Sequence, residues 1–168
     1  MNQRDQQFFD LINKSFSYNP ETGEIVRLTR PSNRVHIGDV AGSPDKKGYL
    51  LIHFKRSRFK AHRIAWLLTY GEFPDGHLDH INGITNDNRI SNLRLATRFN
   101  NMANRGKGSN NKSGFKGVYK HSCGNRWAAT ITANGVFEYI GIFKTPEEAA
   151  SAYRVRSELL HKEFSNHG

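Results

Sequence analysis

One polar stretch, residues 78–101, constrains this chain more than any other part of its sequence. It reads LDHINGITNDNRISNLRLATRFNN and places an acid directly before a histidine, at Asp79 and His80. A loop rich in Asn, Asp, Gly and Thr follows, and Asn92 then precedes the alternating segment LRLAT. Hairpin loops usually have about two to five residues. A longer loop with many polar side chains therefore predicts a functional site rather than a plain turn.

The residues around this loop predict a strand, the loop, a second strand and a helix. Apolar and polar side chains alternate in the second strand, and Thr97 is a residue type that commonly caps the start of a helix. We expect Asp79 and His80 on the first strand. Asn92 should begin the second strand, and Asn101 should lie on a helix that packs across both.

These residue types allow metal-assisted hydrolysis. A hard cation such as Mg²⁺ prefers oxygen ligands and keeps several waters, so one or two protein oxygens suffice. Asp79 offers a carboxylate, and Asn101 offers an amide carbonyl. A neutral His80 can take a proton from an attacking water while the metal stabilises a leaving 3′ oxygen. On residue types alone, a surface histidine among loop-capping asparagines explains the pattern equally well.

The strong positive charge indicates a polyanionic partner. The formal net charge of +10 favours nucleic acid or an anionic membrane without choosing between them. No apolar run approaches the roughly 20 residues of a membrane span, and the first residues lack the apolar core of a signal peptide. Cys123 is the sole cysteine, which excludes an internal disulfide framework and a four-cysteine zinc site. We therefore expect a soluble, cytosolic protein.

The region before the polar stretch predicts a short amphipathic helix, a strand and a hairpin. Residues 5–16 place apolar side chains at helical spacing, and EIVRLTR follows the turn signal NPETG as a strand. Residues 49–54 and 59–62 then predict two strands joined by a basic turn. This turn either forms a solvated tip or contacts a nucleic-acid backbone. Its basic residues are Lys55, Arg56 and Arg58.

The polar stretch and its framing resemble the HNH endonucleases, also called His-Me finger or ββα-metal nucleases. Asp79-His80, Asn92 and Asn101 match the polar positions of that family, and His62-Arg63 stands before an apolar helix as in its members. The resemblance covers roughly residues 47–105 and is strongest to the homing-type enzymes of phages and introns. The third motif position is asparagine here rather than histidine, which occurs in that subgroup.

This resemblance implies a role for each matched residue. His80 would be the general base, and Asp79 and Asn101 would hold one divalent metal ion, Mg²⁺ or Mn²⁺. Asn92 would brace the hairpin and orient His80. Some members bind a structural zinc through cysteine pairs; this chain has one cysteine, so no zinc is expected.

A polar segment and a new sequence pattern follow the predicted nuclease. Residues 104–113, NRGKGSNNKS, predict a flexible basic linker that is either a simple tether or a strap along a DNA groove. Its basic residues include Arg105, Lys107 and Lys112. Three alternating segments then predict antiparallel strands, with Asn134-Gly135 as a strong hairpin signal. A final helix begins with the capping-box sequence TPEE.

The C-terminal segment resembles the AP2 DNA-binding domain of plant transcription factors, which also accompanies HNH nucleases in phages. The matching strings SGFKGVY, RWAATI, YIGIFKTPEEAASAYR and EFSNH lie within residues 113–167. The resemblance implies that the sheet enters the major groove of DNA. The positions that would contact phosphates and bases are Lys116, Tyr119, Arg126, Trp127, Thr130 and Tyr139.

Three of these positions depart from the plant pattern. Lys116 and Tyr119 stand where arginines are usual, and Tyr139 stands where tryptophan is usual. Tyr cannot pair bidentately with guanine as Arg does, so the GC-rich specificity of the plant domains is not implied here. Trp127 has a second interpretation, in which it packs into the core beneath a thin sheet.

Together these patterns predict an α+β protein. Its parts are an N-terminal helix and β-hairpin region at 1–46, an HNH nuclease domain at 47–105, a basic linker at 106–112 and an AP2-like domain, three strands plus one helix, at 113–168. We expect a phage-encoded endonuclease, cytoplasmic in a bacterial host, that needs a divalent metal to nick or cut double-stranded DNA. No membrane and no obligate protein partner are expected. Two alternatives are a DNA-binding regulator with an inactive nuclease scaffold and an RNA-binding accessory protein.

Overall fold

The computed structural model describes residues 3–166 of the 168-residue chain. The chain forms two compact units, Met1–Leu95 and Ala96–Gly168. Within residues 3–166, no helix has both the length and the apolar character that crossing a membrane requires.

The N-terminal unit joins two helices to small sheets. Its helices are α1 (Gln3–Ser15) and α2 (Ala61–Tyr70). Its strands are β1 (Phe16–Tyr18), β2 (Ile25–Arg27), β3 (Ser43–Pro44), β4 (Leu50–Phe54), β5 (Ser57–Lys60), β6 (His77–His80) and β7 (Leu93–Ala96). Strand β1 pairs with β2, strands β3, β4 and β5 form a second sheet, and β6 pairs with β7.

One apolar core holds the N-terminal unit together. Its largest side chains come from both helices and from three strands, and each is at most 2% exposed: Ile12, Phe16, Ile25, Ile52, Ile64 and Leu67. Burial of large apolar side chains is the dominant favourable term in folding. The helix and hairpin of the first 46 residues therefore share a core with the elements that precede the polar loop.

The β4–β5 hairpin is tighter than the sequence predicted. Lys55 adopts a left-handed backbone conformation with φ of 53°, so Lys55 and Arg56 alone connect the two strands. Strand β5 consequently ends at Lys60, and helix α2 begins at Ala61. The prediction that His62 lies on a strand is wrong, because His62 is buried in the first turn of α2.

The C-terminal unit contains the predicted three-stranded antiparallel sheet and covering helix. Its elements are α3 (Arg98–Ala103), β8 (Val118–Lys120), β9 (Trp127–Ala133), β10 (Val136–Phe143) and α4 (Pro146–His161). The strand order is β10-β9-β8. Helix α4 packs on the sheet around a small core formed by Val118, Ala129, Ile131, Ala149 and Tyr153.

Two local sequence signals in this unit are confirmed. Asn134 and Gly135 form the β9–β10 turn with φ of 51° and 82°, the left-handed values that such a two-residue turn requires. Thr145 accepts a hydrogen bond from the backbone N–H of Glu148, whose carboxylate accepts from the Thr145 N–H. The observed elements thus confirm the α+β class.

Candidate active site

Strand β6 carries the two residues on which the sequence prediction rests. Asp79 is 7% exposed and His80 is 4% exposed. Successive side chains on a strand point to opposite faces, so the two residues have different surroundings. Neither is a freely solvated surface group.

Asp79 forms an ion pair with Arg94 of the neighbouring strand β7. The guanidinium Nε and Nη2 of Arg94 lie 3.0 and 2.8 Å from the same carboxylate oxygen, Oδ2 of Asp79. Both side chains are largely buried, at 14% and 8% exposure. On this face of β6 the buried Asp79 carboxylate therefore already lies beside a positive charge, the guanidinium of Arg94.

His80 is surrounded by polar and aromatic groups on the other face. Its Nε2 lies 3.3 Å from Oδ1 of Asn88, in the loop between β6 and β7. Its ring meets the His62 ring edge-on at a centroid distance of 5.0 Å and the Tyr49 ring at 5.9 Å. Burial lowers the pKa of His80 below its ordinary value, against an opposing effect of the Asn88 contact. This shift favours the neutral imidazole, which is the form that a general base needs.

A half-buried cation lies next to this ring cluster. The ammonium Nζ of Lys60 lies 3.7 Å from the centroid of the Tyr49 ring, which also contacts His62 at 5.6 Å. Burial lowers the pKa of Lys60, and burial also lowers the pKa of His62 to about 3. His62 consequently stays neutral at all ordinary pH values and acts as a packed ring beside His80.

Asn92 joins the two ends of the polar loop. Its Oδ1 accepts from the backbone N–H of Asn82 at 3.0 Å. Its Nδ2 donates to Oδ1 of Asn82 at 3.0 Å and to the backbone carbonyl of Asp87 at 2.8 Å. The backbone carbonyl of Asn92 also accepts from the N–H of Ile81 at 2.9 Å. These bonds hold the loop closed just beyond His80.

The donor set fits a hard divalent cation with few protein ligands. Asp79 supplies carboxylate oxygen, and among residues 3–166 no three His, Cys, Asp or Glu side chains cluster as a larger metal site. An oxygen donor of this kind fits a divalent metal ion that retains waters and takes substrate oxygens. The second predicted ligand, Asn101, lies on α3 in the C-terminal unit.

The basic residues predicted to contact DNA in the first hairpin and in the linker lie on the surface. Lys55 and Arg56 are exposed at the tip of the β4–β5 hairpin, and Arg58 is exposed on strand β5. Arg105, Lys107 and Lys112 are exposed in the segment between α3 and β8. Exposure of this kind is what contact with a phosphate backbone requires.

The predicted DNA-binding residues of the C-terminal sheet differ in accessibility. Tyr119 and Tyr139 are 46% and 47% exposed, and Arg126 is also exposed. Thr130 lies opposite Tyr139 in the strand register. Trp127 is partly buried against the core, which agrees with its second interpretation.

Lys116 differs from the other positions predicted to bind DNA. Its ammonium donates to the backbone carbonyl of Ala103 and, at 3.0 Å, to that of Asn166. Burial lowers its pKa to about 8. The Lys116 side chain thus connects the end of α3 to the C-terminal segment. Its ammonium group donates hydrogen bonds inside the C-terminal unit.

Comparison with known proteins places the site in a family. A family model described as HNH endonuclease matches residues 59–103, which include α2, β6, the polar loop and α3. Protein 3.8 of Escherichia phage T7 is 33% identical over 107 residues, covering 63% of this chain and 88% of the phage protein. The chain belongs to the HNH endonuclease family. Membership confirms the family that the Asp79-His80 motif predicted.

A second relative of this HNH protein comes from a giant virus. The uncharacterized HNH endonuclease L560 of Acanthamoeba polyphaga mimivirus is 35% identical over 122 residues, which is 71% of this chain. The chain spans 62% of the length of that viral protein. No solved structure matches the chain significantly.

Two residues that shape this HNH site were missed by sequence-based prediction. Arg94 was recognised only as the polar member of an alternating strand, although a charged residue that can face Asp79 across a strand pair is a usable signal. Asn88 was treated as one of several loop asparagines, and nothing in the sequence separates it from its neighbours.

Proposed function

We propose that this HNH protein is a divalent-metal-dependent DNA endonuclease of the phage and intron type. One observation carries the proposal: buried His80 follows buried Asp79 on strand β6, within the segment that matches the HNH endonuclease family. The arrangement supplies a base and an anionic metal ligand on one strand, which phosphodiester hydrolysis needs.

In this mechanism the residues of the chain have separate tasks. His80 takes a proton from a water that attacks the phosphorus atom, and its lowered pKa favours the neutral ring that this step needs. Asp79 and Asn101 would hold the metal, which when bound supplies positive charge to the phosphate and the leaving oxygen. Asn92 keeps the loop beyond His80 closed, so that the base keeps its place during the reaction.

DNA binding would rest on both units. The exposed basic residues of the β4–β5 hairpin and of the linker would contact phosphates, mostly through counterion release. The C-terminal unit would act as an AP2-like domain, with the exposed rings of Tyr119 and Tyr139 on its sheet facing the bases. Double-stranded DNA is the substrate that a β-sheet reader of the major groove favours.

The test is cleavage of supercoiled plasmid by the wild type and by His80→Ala, with Mg²⁺ and with EDTA. Open-circle product that needs both the metal and His80 supports a nicking endonuclease, and linear product indicates two coordinated sites. Cleavage by His80→Ala at the wild-type rate would refute the assignment. The DNA affinity of His80→Ala, measured by mobility shift, should equal that of the wild type.

One observation favours a second function, a DNA-binding regulator with an inactive nuclease scaffold. The Asp79 carboxylate already has the Arg94 guanidinium as its counter-charge, so a DNA-binding scaffold would not need a metal ion at this position. A regulator would bind DNA equally well with EDTA and would give no product on any plasmid that carries its site.

A further inference from the structure

The side chain of Asn88 occupies an unusual position in the polar loop. Asn88 is 2% exposed, and its Oδ1 lies 3.3 Å from Nε2 of His80. Its Nδ2 is buried, and within the described part of the chain it has no hydrogen-bond partner. Buried polar atoms are nearly always satisfied, and one that is not calls for an explanation. A residue selected for stability alone would not leave a buried N–H group unpaired.

The backbone of Asn88 is held by the β1–β2 hairpin. The hydroxyl of Tyr18 donates to the Asn88 carbonyl at 2.8 Å. Gly23, with φ of +77°, packs so closely that an added Cβ would lie 2.8 Å from the carbonyl carbon of Asn88 and 2.6 Å from the amide nitrogen of Arg89. The hairpin thus fixes the place from which the Asn88 side chain reaches His80.

We infer that Asn88 is a positioning residue that fixes the tautomer and the ring orientation of His80. The inference rests on the proposed function, in which His80 is the base. An amide oxygen only accepts hydrogen bonds, so its partner Nε2 must carry the proton of the neutral ring. The unprotonated nitrogen is then Nδ1, and that atom takes the proton from water. The reverse tautomer would place the proton on Nδ1 and abolish its basicity.

Nuclear magnetic resonance of the imidazole nitrogens reads this tautomer directly. Long-range ¹⁵N–¹H spectra at about pH 8, where histidines are neutral, separate the two tautomers, and the His80 signals are those that disappear in His80→Gln. We expect the Nε2-protonated form in the wild type and a mixture of both forms in Asn88→Leu. Asn88→Asp retains an oxygen acceptor and should restore the Nε2-protonated form.

Cleavage at saturating DNA in a single turnover gives the second readout. Asn88→Leu should be slower by roughly tenfold to a hundredfold, the usual effect of losing a residue that orients a reactive group. Asn88→Asp should recover part of that loss. The control is Asn86→Leu, the same change at an exposed position of the same loop, which should leave both the spectrum and the rate unchanged.

Thermal unfolding distinguishes an effect of Asn88 on the position of His80 from a loss of folded protein. Asn88→Leu removes the unpaired Nδ2 but also removes the acceptor of His80 Nε2, so the melting temperatures of Asn88→Leu and Asn86→Leu are measured and cleavage is compared at a temperature where both variants are folded. An Nδ1-protonated ring in the wild type, or wild-type cleavage by folded Asn88→Leu, would overturn the inference. Failure of the proposed function has a different signature, because His80→Ala would then cleave normally whatever the tautomer.

Discussion

Arg94 directs two donors, Nε at 3.0 Å and Nη2 at 2.8 Å, to a single oxygen of Asp79. The pair lies between strands β6 and β7 and is largely shielded from water. A buried ion pair of this kind contributes little net stability, yet removing one partner is costly because the other charge stays buried without compensation. Asp79 thus has a counter-charge in the fold before any metal binds.

Replacement of Arg94 by Leu should destabilise the N-terminal unit by about 3–5 kcal/mol, because the Asp79 carboxylate then remains buried without its counter-charge. The double variant Asp79→Leu, Arg94→Leu should recover most of this loss. Urea denaturation without metal measures both. Arg89→Leu removes the half-exposed arginine of the ion pair with Asp87 and is the control, which should lose less stability than Arg94→Leu. Equal effects of Arg94→Leu and Arg89→Leu would contradict this account.

Mg²⁺ should stabilise Arg94→Leu more than it stabilises the wild type. In the variant the metal ion compensates a carboxylate that has lost the Arg94 guanidinium, whereas in the wild type the guanidinium already does so. A ligand that binds the folded state raises its stability by an amount that grows with its affinity. Thermal melting with increasing Mg²⁺ measures the difference, and Asp79→Asn should show little response. An identical rise in melting temperature for the wild type and Arg94→Leu would mean that the metal ion does not bind beside Arg94.

Acid should lower the free energy of unfolding of the N-terminal unit, because His62 binds a proton more readily in the unfolded chain. Burial lowers the pKa of His62 to about 3, with smaller effects of the neighbouring His80, Lys60 and Arg63. The unfolded chain binds this proton near pH 6.5, whereas the folded chain does not until about pH 3. The stability is therefore complete above about pH 6.5 and falls as the pH drops towards 3. Between pH 7 and 5 the loss from this group is roughly 2 kcal/mol.

His62→Phe tests that contribution because it keeps an aromatic ring and removes the proton-binding site. Its free energy of unfolding should fall between pH 7 and 5 by roughly 2 kcal/mol less than that of the wild type. His53→Phe, the same change at an exposed position of β4, should follow the wild type. Burial lowers the pKa of His80 too, so some acid sensitivity should persist in His62→Phe.

The sequence predicted those parts of the structure that depend on neighbouring residues. The Asn134-Gly135 turn and the Thr145 capping box each depend on a few consecutive residues, and both are present. The placement of His62 was wrong because one left-handed residue, Lys55, shortened a turn and moved the start of the next helix. Backbone conformations of that kind in non-glycine residues have only a weak sequence signal.

The partners of the candidate site depend on contacts between distant residues. Asp79 meets Arg94 only through the register of two strands that a long loop separates. Asn88 reaches His80 only because the loop folds back, and Tyr18 of the distant first hairpin holds it there. Residue types and spacing predicted His80 as a candidate base, but its contacts with Asn88 and the neighbouring rings required three-dimensional structure.

Gly117 should stabilise the C-terminal unit by allowing helix α4 to pack closely on the sheet. An added Cβ would overlap the ring of Tyr153 and lie 2.7 Å from the carbonyl oxygen of Thr130, so helix α4 would have to move off the sheet. Gly114 has a similar φ, +82° against +71°, and has nothing within 4 Å of such a Cβ. Gly117→Ala should therefore lower the free energy of unfolding by roughly 1–3 kcal/mol more than Gly114→Ala. Both substitutions strain the backbone, but only Gly117→Ala also overpacks the space against Tyr153. Calorimetry that finds the two equally stable would argue against this close packing.

Tyr18→Phe should slow cleavage although Tyr18 lies outside the matched family segment. Its hydroxyl donates to the Asn88 carbonyl, and burial raises the pKa of Tyr18 to about 12, so the donor proton is present at every working pH. Loss of that bond costs about 1 kcal/mol and loosens the residue that orients His80. We expect a smaller decrease in single-turnover rate than for Asn88→Leu. Tyr70→Phe, at an exposed position on α2, is the matched control and should cleave normally. A wild-type rate for Tyr18→Phe would show that the first hairpin supports the fold but not the position of the base.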